Sequence, residues 1–78
     1  MKQQVFPLNL VIPDREVTLV SISGGRNLRA RLIDMGLKEG LKFKVLHSHK
    51  PGPCVIRIGN TRLVLGCGMA QKMMVKEG

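Results

Sequence analysis

Aromatic residues are almost missing from this chain, which has no Trp, no Tyr and only Phe6 and Phe43. Proteins that hold single-stranded nucleic acid stack its bases on aromatic rings, so this surface has little to offer that mode of binding. Acidic residues are scarce as well, with five Asp and Glu in 78 positions. That leaves too few carboxylates for a paired acid–base site, and neither a Ser–His–Asp arrangement nor a glycine-rich phosphate loop is in view. Two cysteines, Cys54 and Cys67, are too few for a disulfide scaffold. No apolar run reaches the roughly 20 residues that a transmembrane helix needs. The stretch Val5 to Ile12 is short, is interrupted by Pro7 and Asn9, and does not read as a signal peptide. The expectation is one cytoplasmic, thiol-reduced domain over residues 1–78, with 1–13 as an N-terminal arm.

Basic residues are plentiful. Thirteen Lys and Arg leave a formal charge of +8, which calls for an acidic partner: nucleic acid, an anionic membrane surface or an acidic protein face. Along the chain, Val17 to Ile22 is rich in β-branched residues and reads as a buried strand. Residues 42–47 begin with strict alternation, which places Phe43, Val45 and His47 inward and Lys42 and Lys44 outward. After a loop over 49–53, Cys54 to Ile58 and Thr61 to Leu65 form a hairpin about Gly59-Asn60. Gly66 to Gln71 can make one helical turn, and Met73 to Val75 is a last short strand.

The stretch from Gly24 to Gly40 reads as a helix over about 27–35 with its entry and exit both encoded. Asn27 is the expected cap of the first turn. Leu28, Leu32 and Met35 fall within about 60° of one another and predict a buried stripe. Gly36 followed by Leu37 predicts a Schellman-type stop, and Lys38-Glu39-Gly40 a turn. The resulting fold class is mainly β: a small SH3-like barrel of about five strands with one short α-helix between strands 1 and 2, closed so as to remove exposed edges.

Taken together, Ile22-Ser23-Gly24-Gly25, Leu28-Arg29-Ala30-Arg31-Leu32, Met35-Gly36-Leu37, Gly40, Val45-Leu46, Pro53, Val55, Gly59, Arg62-Leu63-Val64-Leu65, Ala70 and Val75 look like the FeoA family. That family is the small cytosolic component of bacterial and archaeal ferrous-iron uptake, and its module also resembles the C-terminal domain of iron-dependent repressors. The likeness covers about residues 14–76. Glu39-Gly40 and Pro13-Asp14 stand where the family usually has Pro-Gly, and Gly66-Cys67-Gly68-Met69 replaces a usually charged helical turn. The resemblance implies a non-enzymatic accessory of the FeoB-type ferrous-iron permease, a membrane protein with a cytosolic GTP-binding domain.

The residues expected to meet a partner are Arg26, Arg29, Arg31, Ile33, Met35 and Leu37, on the helix and its exit. Arg29 and Ile33 are neighbours on the i, i+4 row, away from the buried stripe, so Ile33 is either a docking contact or packs under the arm against Leu8 or Leu10. The arginines are either a solvated face bridged to Asp34 and Glu39 or, more specifically, groups that reach a GTPase site. Lys42, Lys44, Lys50, Arg57, Arg62 and Lys72 fall mostly on outward positions, suited to anionic lipid, an acidic partner or plain solubility. His47, His49, Cys54 and Cys67 are the candidate metal ligands, for Zn or Fe(II), with zinc the better match to soft thiolate and imidazole donors. Buried structural roles for His47 and the two thiols are the alternative. Two further functions stay open: a basic nucleic-acid-binding or regulatory domain, and a small transition-metal-binding protein. Homodimerisation through surface methionines is also open.

Overall fold

A computed structural model describes residues 4–48 and 52–78. In chain order these form strand β1 (Phe6–Pro7), a 3-10 turn (Leu8–Leu10), β2 (Glu16–Ile22), helix α1 (Arg26–Asp34), β3 (Lys42–Ser48), β4 (Cys54–Ile58), β5 (Thr61–Leu65), α2 (Cys67–Gln71) and β6 (Met73–Glu77). The strands make one antiparallel sheet in the order β1-β6-β2-β3-β4-β5. The mainly β, SH3-like expectation holds, with α1 between the first two long strands. The sheet is nevertheless not closed, because β1 and β5 end the strand order and no ladder joins them among the described residues. There are also six strands rather than five. The extra one is Phe6–Pro7, which pairs with β6 at Val75 and Met74.

The N-terminal segment packs against the domain. Leu8 and Val11 are buried with the core residues of β2, β4 and β6, and the 3-10 turn packs against α2 and β6. A domain this small has few apolar side chains to bury, so it recruits those next to the sheet.

Helix α1 begins one residue earlier than expected. Gly25 holds the cap position and no side chain caps the first turn, so Asn27 lies inside the helix. The exit is as expected. Gly36 has φ 93°, its N–H donates to the Ile33 carbonyl at 2.9 Å, and the Leu37 N–H donates to the Leu32 carbonyl at 2.8 Å. These two bonds are the Schellman pair, and glycine takes this φ without a Cβ penalty. They also change the buried stripe. The chain turns at Met35, which is left 38 % exposed, and Leu37 is the fully buried residue that joins Leu32 in the core.

Strand β3 breaks its own alternation. A bulge between Val45 and His47 leaves Leu46 out of the ladder and pairs His47 with Val55. One extra residue moves every later side chain to the other face. His47 is consequently exposed rather than inward beside Phe43 and Val45.

Candidate functional site

A depression of about 330 Å³ is lined by Ile22, Arg29, Ile33, Lys38 and Glu39. Its parts come from three places: the end of β2, the outward row of α1, and the turn that follows the Schellman exit. That turn is held by a hydrogen bond from the Leu41 N–H to the Lys38 carbonyl at 3.1 Å and is tied to β2 by one from the Gly40 N–H to the Leu19 carbonyl at 2.8 Å. The helix exit thus sets how far Lys38 and Glu39 stand from Arg29 and Ile33. Ile33 is 53 % exposed and does not pack under the N-terminal segment, which turns instead to α2 and β6.

Charge surrounds this apolar patch without being neutralised inside the molecule. Among the described residues the one ion pair is Arg15 with Glu77 at 3.6 Å, so the expected bridges from the helix arginines to Asp34 or Glu39 are not formed. Arg31 lies in the last turn of α1, where the helix dipole favours a cation, while Arg26 and Arg29 lie near its start, where no acidic residue accompanies them. Arg26, Arg29, Arg31, Ile33 and Met35 are all exposed. Leu37 is not: it is fully buried and leaves the set of surface contacts. Its place on the groove is taken by Ile22, Lys38 and Glu39, of which the last two read from sequence only as turn formers. Their position directly after a tight helix stop was the usable signal.

Of the described metal candidates, His47 and Cys54 diverge. Directly paired residues share a face of a sheet, and His47 pairs with Val55 whereas the adjacent Cys54 pairs with Ser48, so His47 and Cys54 point to opposite faces. Cys54 is buried in the core. Burial pushes its thiol up from the ordinary value, against a weaker opposing hydrogen bond from Ser48, which disfavours the thiolate a metal would need. Cys67 sits on α2, where its sulfur accepts a 3.5 Å contact from the Gln71 side-chain amide. His49 lies outside the described residues. Among those described, no three His, Cys, Asp or Glu side chains gather where an ion could be held.

Three of the expected outward cations stand together, while Lys50 lies outside the described residues. Lys44 pairs with Arg57, and Arg57 with Arg62, so three basic side chains stand in line across β3, β4 and β5. Glu16 pairs with Lys44 at the inner end of this row.

With this geometry in place, the chain can be compared with known proteins. The FeoA domain model matches residues 6–77. A protein of Methanocaldococcus jannaschii named for Fe(2+) transport, transport protein A, is 32 % identical over 73 residues, spanning 94 % of this chain and 88 % of that one. The crystal structure of an iron uptake regulatory protein (FeoA) superposes with a TM-score of 0.88 at 39 % identity, covering 96 % of this chain and all of that one. A manganese-dependent transcriptional repressor also gives a TM-score of 0.88, at 18 % identity, over the whole of this chain and 44 % of its own. At that identity the likeness is one of fold alone.

Proposed function

The chain belongs to the FeoA family, an accessory family of ferrous-iron uptake, and from that premise we propose that it works by docking its α1 groove onto the cytosolic part of a FeoB-type permease. The observation that carries this reading is Ile33. An aliphatic side chain 53 % exposed on a helix, over a depression edged by Arg29 and Lys38, has the make-up of a docking contact: an apolar anchor inside a charged rim. Arg26 extends the rim along the same helix row, whereas Arg31 and Met35, each two residues from Ile33, are exposed but face away from the depression. On this reading the protein acts by binding, in keeping with the accessory family to which it belongs. Its place of action is cytoplasmic, since the permease surface it would meet is there.

Calorimetric titration of the protein into the GTP-binding domain of the cognate permease, and separately into the whole permease in detergent, tests this at two salt concentrations. Micromolar binding that weakens at least tenfold with Ile33→Asp is the expected result. Absence of binding to both, or binding indifferent to Ile33→Asp, Arg29→Ala and Lys38→Ala alike, overturns it.

A further inference from the structure

The two margins of the open sheet are built differently. β1 is two residues long and one of them is Pro7, a short and proline-blunted edge of the kind that resists pairing. β5 is five residues long, has no proline, and pairs with β4 in unbroken register from Thr61↔Ile58 to Leu65↔Cys54. Its far side ends the strand order.

The hairpin between them fixes which backbone groups face outward. Gly59, at φ 59°, is the first of two turn residues, while Asn60 is not in the positive region, which identifies a type II′ turn. In such a two-residue hairpin the flanking pair Ile58–Thr61 exchanges hydrogen bonds, and alternate pairs do so thereafter. The N–H and C=O groups of Arg62 and Val64 therefore point away from β4, toward the open side. Side chains alternate as well. Arg62 and Val64, the latter 66 % exposed, lie on the outer face, whereas Leu63 and Leu65 lie on the inner face with the core.

The row Lys44–Arg57–Arg62 runs straight to this margin. Like charges placed directly opposite on neighbouring strands repel, and none of the three is in an ion pair among the described residues. A cationic row that ends at an open strand edge calls for negative charge arriving on the next strand.

We propose that the outer margin of β5 accepts an extended polypeptide segment as an added strand, one that alternates acidic and apolar residues. Its acidic side chains lie over the outer face beside Arg62 and Arg57, and its apolar ones continue the inner row of Leu63 and Leu65. Its backbone takes up the outward groups of Arg62 and Val64. A second copy of this chain is the poorer occupant, because it brings the same cationic row and a further charge of +8. An anionic bilayer would meet the charges but leave the strand edge unused. This surface is separate from the α1 groove, and the proposal stands or falls independently of that reading.

The test uses a capped eight-residue peptide of alternating Glu and Val, followed by amide NMR and hydrogen exchange on the whole protein. Binding should slow exchange at the Arg62 and Val64 amides and weaken with salt. Val64→Pro should cost tenfold or more in affinity. It removes a donor that β4 does not use, and proline is tolerated on an edge strand. If that variant loses its native amide spectrum, N-methylation of alternate peptide residues removes the same bonds from the other partner and should cost as much. Arg62→Glu, or a peptide of alternating Lys and Val, should also abolish binding. The proposal fails if a proline-interrupted Glu peptide binds equally well. It fails too if only phosphatidylserine vesicles bind, or if the two amides become protected by self-association without any peptide.

Discussion

The N-terminal segment through Val11 and helix α1 are both short, and both are connected to β2. Both leave apolar side chains in solvent, Val5 and Leu10 in the one and Ile33 in the other, yet the irregular segment adds more to the core. The segment has two residues in a strand and one 3-10 turn, but it buries Leu8 completely and Val11 nearly so. The helix is a regular element of nine residues that fully buries Leu32 alone and leaves Ile33 and Met35 in solvent. Regular secondary structure is thus a poor guide to which part of this protein holds it together. Irregular backbone is cheap to bury when its polar groups are paired. Here the Val11 N–H donates to the Leu8 carbonyl at 3.1 Å, and the Asn9 carbonyl accepts from the Ser48 hydroxyl at 3.1 Å. The helix, by contrast, satisfies its own backbone and can afford to keep an apolar face uncovered.

The strongest way to break this contrast is at Leu8. Truncation of a fully buried leucine leaves a cavity as well as losing its transfer energy, so Leu8→Ala should destabilise by about 2–5 kcal/mol. In a domain of this size, that is a large fraction of a typical stability. Urea unfolding checks it: a midpoint unchanged from wild type would return the segment to the status of a loose arm. Next comes Gly36→Ala. Nothing lies within 4 Å of the Cβ it would add, so its cost is conformational, about 1–2 kcal/mol for an L-residue held at this φ. The loss should appear as a lower midpoint with an unchanged slope, since packing stays intact.

Ile33→Asp sharpens the contrast from the other side. The Ile33 side chain is exposed and its carbonyl keeps the Gly36 N–H bond whatever the side chain, so the change should cost no more than about 1 kcal/mol, chiefly from an acid in the last helical turn. The expected outcome is therefore a folded protein, at most slightly destabilised, that has lost permease binding. A large drop in stability would instead make Ile33 a packing residue and remove the premise for docking.

What could be read from the residues follows the same division. The Schellman exit, the hairpin at Gly59 and the β-rich strands were legible because each rests on two or three adjacent residues of the right type. The bulge after Val45 was not, since nothing in Val45-Leu46-His47 requires an extra residue, and missing it put His47 on the wrong face. The membership of Leu8 in the core was equally hidden. Its fate depends on pairing between residues 6–7 and 74–75, a contact across almost the whole chain. The groove was half legible: Arg29 and Ile33 follow from helical period, whereas Lys38 and Glu39 reach it only through the angle at which the chain leaves Gly36. Closure of the sheet was inferred from a general dislike of open edges, and the two margins of this sheet show that an edge can also be blunted or left available.

The smallest effect, and the finest probe of how the two regions are joined, concerns the turns that leave them. The chain leaves α1 through Gly36 at φ 93° and leaves the N-terminal segment through Asp14 at φ 72°, so one left-handed position has the permissive residue and the other does not. Asp14 is held there by its N–H, which donates to the Val45 carbonyl at 2.7 Å, and Pro13 before it suits the first corner of such a turn. Asp14→Gly removes a steric cost of roughly 1 kcal/mol and gives back roughly 0.4–1 kcal/mol in unfolded-state entropy. The expected net is a gain below about 1 kcal/mol, read as a rise of a few degrees in Tm. Asp14→Asn is the control, because asparagine tolerates the same φ without the charge. If both variants lower Tm, the carboxylate is the reason Asp stands there, as one of only five acids in a chain of formal charge +8, and relief of strain is then the lesser term at this turn.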